Sequence, residues 1–381
     1  MIYFDNSATT RTCREAAERA YTAMTQDYYN PAAAYGAAFG VEKQVNEART
    51  FAASLVGAKP EEILYTSGGT ESNNMAVFGS LRPMRNLKSI VTTETEHPSV
   101  YETIRTAAKE FGMEIVYAPL KADGTVDLDR LSDVLHADTG LVSIMHVNNE
   151  LGSVNDLEAI ARKVRALSPN AVLHADGVQA FMKVPTGKLP VDLYSVSAHK
   201  LHAPKGVGFL LVRNGIRFAG GQIGGGQERN LRSGTTNVPG ILGMDSALRL
   251  YQSNQRVWHQ QMFQVKKRLY ENLGTLGDVC LNGPAIEAGA PHILNLSFLG
   301  VRGEVLLHAL ERYGVIVSTG SACSAKKQGK NRVLNAIGIG GARQEGAIRF
   351  SFCPFNTVAE ADEAANVIAD QVRMLRKYKR R

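Results

Sequence analysis

The sequence predicts an α/β protein with two parts: a large domain built on a mostly parallel seven-stranded sheet, and a smaller α/β domain. Seven short apolar runs rich in β-branched residues recur in the first part of the chain, and segments of helical periodicity separate most of them. Alternation of strand and helix is typical of a parallel sheet covered by helices on both faces. The chain has 381 residues, more than the roughly 250–300 that a single hydrophobic core usually supports.

Each predicted strand is a mostly apolar run of three to five residues. In chain order they are 62–65, 90–92, 115–117, 141–145, 172–174, 193–196 and 208–212. Helical periodicity is clearest over 100–111 and 157–167. Residues 241–273 then form one long helical stretch, after which only the strands 293–298 and 347–351 stand out. We place the domain boundary inside that helix, with residues 15–255 in the large domain and residues 1–14 and 256–381 in the small one.

The composition of the chain indicates which classes of protein it can belong to. The chain is 44% hydrophobic and 21% charged, and no apolar run is long enough to cross a bilayer. The N-terminus lacks the pattern of a secretory signal, so we expect a cytoplasmic protein without membrane contact. The four cysteines, Cys13, Cys280, Cys323 and Cys353, show neither disulfide-framework nor metal-ligand spacing, which predicts free thiols and no metal. The net charge of +7 comes partly from a basic C-terminal segment, interpreted as a solvated helix rather than a nucleic-acid contact.

The most informative polar residues follow two neighbouring predicted strands. Asp176 follows one strand, and Ser197, His199 and Lys200 follow the next. Ligands of such sheets bind beyond the carboxyl ends of the strands. Pyridoxal 5'-phosphate (PLP) needs an amine to bond to its aldehyde, a carboxylate beside its pyridine nitrogen, and donors for its phosphate. These four residues offer all of them, so the sequence predicts a PLP site.

A second segment suits the phosphate of that cofactor. Residues 65–74 read as a strand that runs through two glycines into a helix, with Gly69 and Thr70 at the junction. Backbone N–H groups at a helix N-terminus bind phosphate, and glycines allow close approach. An ordinary turn followed by a Thr cap gives the same pattern, so the interpretation depends on the presence of Lys200.

Four further side chains are candidates for the cofactor or the substrate. Gln179 can donate to the phenolic oxygen of PLP, and His97 could stack on its ring and move protons. Asn148 follows a strand and could reach the substrate or a cofactor oxygen. Arg349 has the planar donor set that clamps a carboxylate. A solvated loop histidine and a structural ion pair are the ordinary alternatives for His97 and Arg349.

One cysteine has surroundings that favour reactivity. Cys323 lies in the segment 317–330, which is rich in small residues and lysine. Nearby positive charge lowers the pKa of a thiol from about 8.5 and favours the nucleophilic thiolate. Burial as a small apolar residue is the usual alternative, and we assign it to the other three cysteines.

Taken in order, these motifs resemble one known family over essentially the whole chain. They are 3–10, 66–73, 96–97, 148–150, Asp176 with Gln179, 197–200 and 320–323. The set resembles cysteine desulfurases of the NifS/IscS type, within the class V aminotransferase group of fold-type I PLP-dependent transferases. Two segments depart from the family pattern: 30–35 lacks the two hydroxyls and the imidazole usual at the site entrance, and Phe352-Cys353 replaces a usual Leu-Gly pair.

The resemblance implies a role for each candidate. Lys200 would bond to the cofactor and then act as the base at the substrate Cα, Asp176 would pair with the pyridinium, Gln179 would contact the phenolic oxygen and His97 would stack on the ring. The phosphate would be held by Gly69, Thr70, Ser197 and His199, and by Thr235 from the other subunit of a homodimer. Asn148 and Arg349 would bind the carboxylate of L-cysteine, and Cys323 would carry the persulfide.

The implied activity converts L-cysteine to L-alanine and leaves sulfur on Cys323 for a protein acceptor, either an iron–sulfur cluster scaffold or a protein of transfer-RNA thiolation. A PLP-dependent selenocysteine lyase or another class V aminotransferase is the alternative, and in either of these Cys323 would be dispensable. A third hypothesis is a non-catalytic binding protein on the same fold, since a fold alone does not establish an activity.

Overall fold

A computed structural model describes residues 1–320 and 331–378. Its strands are β1 (Ile2–Tyr3), β2 (Ile63–Thr66), β3 (Ser89–Thr92), β4 (Glu114–Tyr117), β5 (Thr139–Ser143), β6 (Val172–Asp176), β7 (Leu193–Ser197), β8 (Gly208–Val212), β9 (Val279–Asn282), β10 (Ile293–Phe298), β11 (Val315–Ile316) and β12 (Ala347–Ser351). Its α-helices are α1 (Arg14–Thr25), α2 (Gly36–Leu55), α3 (Gly69–Leu81), α4 (Pro98–Phe111), α5 (Leu128–Leu131), α6 (Leu157–Leu167), α7 (Val238–Gly274), α8 (Gly303–Glu311), α9 (Arg332–Ala336), α10 (Gly341–Glu345) and α11 (Val358–Tyr378).

The predicted seven-stranded, mostly parallel sheet is confirmed. Its strand order is β2-β8-β7-β6-β5-β3-β4. Only β8 runs against its neighbours, pairing antiparallel with both β2 and β7, while the other pairs are parallel. Every residue of β5, β6 and β7 is buried. Central strands covered on both faces do not alternate between apolar and polar residues, which is why they read as continuous apolar runs in the sequence.

Two hydrophobic cores lie on the two faces of this sheet. Leu64 and Leu141 belong to one core, whereas their neighbours Tyr65 and Val142 belong to the other. Successive strand residues point to opposite faces, so each strand contributes to both cores. Helix α3 is buried along most of its length and has no polar stripe, as expected of a helix that packs inside the protein rather than on its surface.

A third core lies outside the large sheet. The antiparallel sheet β12-β10-β9 and the parallel pair β1-β11 surround it, and Phe4 and Phe350 are fully buried there. Helix α7 contributes Leu248 to the core on one face of the large sheet and Leu269 to this third core. These contacts support the division into two domains within α7, with the N-terminal residues in the small domain. We propose that division as the domain organisation of the chain.

Helices α4 and α6 begin or end at residues that are typical of helix termini. Pro98 is the first residue of α4, where its missing N–H and fixed φ cost nothing. Gly112 ends the same helix in the left-handed conformation, with φ of 64°. Asp156 caps α6 by accepting a hydrogen bond from the N–H of Ala159. In the part of the chain that the structure describes, no helix combines the length and the apolar character that crossing a membrane requires.

Gly177 lies where β6 meets the following turn, and we expect it to tolerate no side chain. A Cβ there would overlap the ring of Tyr194, which is fully buried and whose hydroxyl lies 2.9 Å from His146 Nδ1. Overpacking of this kind costs about 1–3 kcal/mol. Gly177→Ala should therefore lower the free energy of unfolding by about that amount, as measured by urea denaturation.

Gly40→Ala is the matched control. Gly40 lies within helix α2, and a Cβ there would meet nothing within 4 Å. Alanine in a helix is about 0.5–1 kcal/mol more favourable than glycine, so this variant should be slightly stabilised. Equal stability of the two variants would contradict the packing described around Tyr194.

Candidate active site

A cavity of about 390 Å³ opens where the parallel strands of the large sheet end. The loops after β2, β3, β5, β6 and β7 all reach it, as expected for the carboxyl edge of a parallel sheet. Nine residues predicted from the sequence line it: Gly69, Thr70, His97, Asp176, Gln179, Ser197, His199, Lys200 and Arg349. They come from segments almost 300 residues apart in the chain.

Lys200 lies in a short 3-10 turn directly after β7, inside the cavity. Its Nζ donates hydrogen bonds to the backbone carbonyls of Ser7 and Ala8, each at 2.6 Å. Burial, followed by the charge of Arg349, lowers the pKa of Lys200 to about 8. About a tenth of the amine is therefore unprotonated at neutral pH, and an unprotonated amine is a nucleophile.

Asp176 is the last residue of β6 and only 4% exposed. Its Oδ2 accepts a hydrogen bond from Asn73 Nδ2 at 2.8 Å, and its Oδ1 accepts one from the N–H of Val178 at 2.9 Å. Both donors are neutral. A buried carboxylate is costly unless it is paired, so the arrangement suits a cation that enters the cavity.

His97 is fixed by the start of helix α4. Its Nδ1 accepts a hydrogen bond from the N–H of Ser99 at 3.1 Å and lies 2.7 Å from Ser99 Oγ. An accepting Nδ1 places the hydrogen of the neutral ring on Nε2. Burial lowers the pKa of His97, which favours this neutral form. Asn73 donates to both Ser99 Oγ and Asp176, so the histidine and the carboxylate share one hydrogen-bond network.

The helix that follows β2 points its N-terminus at the cavity. Gly68 has φ of +143°, a conformation that favours glycine, and a Cβ on Gly69 would lie 2.8 Å from Val178 Cγ2. The backbone N–H groups of the first turn have no partner within the helix, and such groups bind phosphate. His199 adds a neutral imidazole, since burial lowers its pKa to about 4, with Nδ1 3.0 Å from Thr9 Oγ1.

Arg349 lies in the middle of β12 and is 5% exposed. Its Nη2 donates to Asp5 Oδ1 at 2.6 Å, and its Nη1 donates to the carbonyl of Asn149 at 3.1 Å. Its Nε is buried without a partner among the described residues. Both terminal nitrogens of the guanidinium are thus anchored, and Nε remains as a donor for a ligand.

Two predicted residues do not line the cavity, and a third lies outside the described residues. Asn148 makes all four hydrogen bonds available to an amide, donating to Thr95 O and Met145 Sδ and accepting from two backbone N–H groups. Its neighbour Asn149 lines the cavity. Thr235 is exposed and lies outside the cavity, and Cys323 lies outside the described residues.

Sequence reasoning missed three residues that support the site. Ser7 accepts from Lys200 and from Gln179, Asp5 pairs with Arg349, and Asn73 bonds to Asp176. One signal for Asn73 was present, because it lies four residues after Gly69 and therefore on the same face of α3. No local signal ties residues 5–7 to a site almost 200 residues away.

Neither of the two segments that depart from the family pattern belongs to the described lining of the cavity. Residues 30–35 are absent from the described lining of the cavity. Cys353 is buried, and burial raises the pKa of its thiol to about 11, which makes it a poor nucleophile. Cys13 is buried as well, and its pKa is also raised by burial. Both outcomes agree with the burial predicted for these two cysteines from the sequence, whereas Cys280, for which burial was also predicted, is only half-buried at the partly exposed strand β9.

A comparison with known protein families shows which family the chain belongs to. Residues 2–363 match the family aminotransferase class-V. The chain belongs to this family. The chain is 40% identical to the cysteine desulfurase IscS of Photorhabdus laumondii, and the match covers 98% of this chain and 93% of that one. It is 36% identical to a cysteine desulfurase of Trichormus azollae, over 99% and 94% of the two chains.

Solved structures of NifS-like proteins share the fold of this chain. A NifS-like protein superimposes with a TM-score of 0.92 at 35% identity, covering 98% of this chain and 99% of the other. A second NifS-like protein, from Rickettsia africae, has a TM-score of 0.85 at 25% identity, with the same coverage. The predicted fold type and the predicted resemblance to the NifS/IscS type are therefore confirmed.

Proposed function

We propose that this class-V aminotransferase is a PLP-dependent cysteine desulfurase, which converts L-cysteine to L-alanine and leaves the sulfur as a persulfide on Cys323. The observation that carries the proposal is the placement of Lys200, Asp176 and Arg349 in one cavity. An amine with a lowered pKa, a buried carboxylate with only neutral donors, and a guanidinium with one spare donor meet there. The 36–40% identity to cysteine desulfurases over nearly the whole chain supports the same activity.

The donor set fits PLP. Lys200 would bond to its aldehyde, Asp176 would hold its pyridinium proton, and Gln179 would donate to its phenolic oxygen. The phosphate would be bound by the first turn of α3 at Gly69 and Thr70 together with Ser197 and His199. Ser7 Oγ and Asn73 Oδ1 are buried on the cavity wall without partners among the described residues, so polar groups remain for a ligand. When bound, PLP supplies an electron sink that stabilises negative charge at the substrate Cα.

The substrate would be oriented by its carboxylate and deprotonated by Lys200. Arg349 would bind the carboxylate through its Nε, the donor without a partner among the described residues, and Asn148 would add a contact once its present hydrogen bonds rearrange. The Nζ of Lys200 would act as the base that takes the proton from Cα. His97 would stack on the cofactor ring and move protons, and burial lowers its pKa, which favours the neutral form that can accept a proton.

The sulfur would leave through Cys323. The thiolate of Cys323 attacks the substrate sulfur, the Cβ–S bond breaks, and its electron pair stays on the carbon skeleton, which takes up protons to give alanine. The sulfur remains as a Cys323 persulfide, so the reaction needs no external oxidant or reductant. Cys13 and Cys353 are poor candidates for this step, because burial raises the pKa of both thiols.

A homodimer would complete the phosphate site through Thr235. The loop that leads to it contains residues 228–230 in the left-handed conformation, with φ of 47°, 58° and 63°. Each such residue costs of order 1–3 kcal/mol and persists only where its surroundings hold it. Here Arg49 donates to both carboxylate oxygens of Glu228, which also accepts from the N–H of Tyr65. A loop held this firmly supports the proposal that the exposed Thr235 is presented to a second subunit.

The acceptor of the persulfide is proposed to be a protein, either an iron–sulfur scaffold or a protein of transfer-RNA thiolation. We propose the cytoplasm as the location. Cys13, Cys280 and Cys353 are free thiols, which is typical of a reducing compartment.

One experiment tests the activity directly. The purified protein is exposed to L-cysteine without reductant, its intact mass is measured, and alanine is assayed in the same tube. One added sulfur, located on Cys323, together with alanine supports the desulfurase. Cys323→Ala should lose both signals, and Cys280→Ala, which removes a half-buried thiol in β9, should keep both. Turnover that survives Cys323→Ala would instead favour a selenocysteine lyase or another aminotransferase.

The lowered pKa of Lys200 predicts how the protein takes up its cofactor. Only the unprotonated amine attacks an aldehyde, and the pKa of Lys200 is about 8 rather than the ordinary 10.5. The rate at which PLP produces its visible absorbance band in cofactor-free protein should rise with pH up to about 8 and then level off. Stopped-flow mixing between pH 6.5 and 10 measures it, as these values span the pKa of about 8. A rate that keeps rising to pH 10, against that pKa of about 8, would contradict the described burial.

A further inference from the structure

A second arginine lies in the same cavity and has no part in the mechanism above. Arg332 is the first residue of helix α9 and lines the cavity together with His97 and Arg349. Its Nη2 donates to the backbone carbonyl of Glu96 at 2.6 Å, and its guanidinium carbon lies 3.8 Å from the ring centroid of Tyr101. The stacking and the hydrogen bond fix the guanidinium beside the histidine of the site.

The charge of Arg332 is not neutralised by an ion pair within the described residues. Its partners are a backbone carbonyl and an aromatic ring, and its Nη1 is buried without a partner in the described part of the chain. The side chain of Glu96 is not a substitute. One of its oxygens accepts from the N–H of Met145 and from Thr93, and burial raises its pKa to about 8, which favours the neutral acid.

The guanidinium groups of the two arginines in the cavity therefore differ in their binding partners. Arg349 is already held by Asp5, with its Nη2 2.6 Å from Asp5 Oδ1, whereas within the described residues Arg332 has no carboxylate partner and keeps a spare donor. A buried guanidinium donor left without a partner is costly, and a bound anion removes that cost. The cavity thus offers a positive group for each end of an amino acid that carries a second negative charge on its side chain.

We infer that Arg332 is a specificity-determining residue that binds the negatively charged side-chain end of the substrate, while Arg349 binds the α-carboxylate. For L-cysteine that end is the thiolate. The inference rests on the proposed function, because it takes an α-amino acid as the occupant of the cavity. It adds a residue and a charge preference that the proposed function by itself does not require.

L-Aspartate and L-asparagine test this preference, because they have nearly the same shape and differ in side-chain charge. Each is used as a competitive inhibitor of alanine formation from L-cysteine. One charge-assisted hydrogen bond at a buried site predicts that the wild-type protein binds aspartate about ten- to a hundredfold more tightly than asparagine. Arg332→Gln should bring the ratio of the two inhibition constants close to one, and Arg332→Lys should restore part of it.

Arg302→Gln is the matched control. The side chain of Arg302 is 69% exposed and pairs with Glu304 on the surface, so the ratio should not change in this variant. A purely structural role for Arg332 would weaken both inhibitors equally and leave their ratio unchanged, which would overturn the inference. So would a wild-type protein without a preference for aspartate, a result that does not depend on any variant folding.

The outcomes separate this inference from the proposed function. If the wild-type protein forms alanine from L-cysteine but the aspartate preference is missing or survives Arg332→Gln, only the role of Arg332 fails. If it forms no alanine, the proposed function fails, and calorimetric titration of aspartate and asparagine then measures the same ratio without turnover. Thermal unfolding of each variant verifies that the variant is folded under the conditions of the comparison.

Discussion

Lys200→Ala should reduce alanine formation from L-cysteine by at least about a thousandfold. The variant lacks both the amine that bonds to the cofactor and the base that takes the Cα proton. Among the described residues, Lys183 is a buried lysine near the site, and its Nζ already donates to Gln179 Oε1. The measurement is the rate of alanine formation with PLP in excess, together with the visible absorbance band of the bound cofactor, which should be missing.

Lys205→Ala is the control for this prediction. Lys205 is exposed in the loop after the same strand, five residues from Lys200, and its removal should leave both the absorbance band and the rate unchanged. A Lys200→Ala protein that retains more than about a tenth of the activity would exclude Lys200 as the attachment point and the base, because loss of either role costs far more.

Asp176→Asn should lower turnover by about a hundred- to a few thousandfold, while the protein remains folded. Breaking a buried charge pair costs about 3–5 kcal/mol, and each 1.36 kcal/mol is about a factor of ten in rate. The carboxylate accepts hydrogen bonds on both oxygens, from Asn73 and Val178, whereas an amide offers one acceptor and two donors. The ring nitrogen of PLP would then lose its anionic partner. Steady-state kinetics with saturating PLP measures the effect.

Asp192→Asn provides a matched comparison at the opposite end of the sheet. Asp192 lies just before β7, where it pairs with Arg165 and accepts from the N–H of Leu173. Its replacement should lower stability by removing that pair and leave the rate per folded molecule close to wild type. If Asp192→Asn slowed turnover as much as Asp176→Asn, the loss at Asp176 would reflect general damage to the sheet rather than contact with the cofactor.

Much of the site could be predicted from local patterns. Buried central strands read as apolar runs, and a polar residue directly after such a run lies at the carboxyl edge of the sheet. This reasoning found Asp176, Ser197 and Lys200 at the ends of β6 and β7, which pair directly with each other. Gly69 and Thr70 were found because a strand, paired glycines and a helix start form one continuous segment. All five line the cavity.

The partners of these residues could not be predicted, because they come from distant parts of the chain. The carbonyls of Ser7 and Ala8 meet Lys200 only after the N-terminal segment has crossed to the large sheet. Asp5 meets Arg349 only because β12 is brought beside the N-terminus. Arg332 had no motif around it, and its place in the cavity follows from the position of α9.

The sequence by itself determined which segments of the large sheet are strands, which family the chain resembles, and which side chains are candidates for the site. Local periodicity and the residue type at each strand end set these properties. Tertiary structure alone decided which groups are charged and which are free to bind. Burial sets the pKa of Lys200 and His97, and contacts across the fold occupy the amide of Asn148 while leaving a donor of Arg332 and of Arg349 without a partner among the described residues. Such properties depend on distances between residues far apart in the chain, and no local pattern encodes those distances.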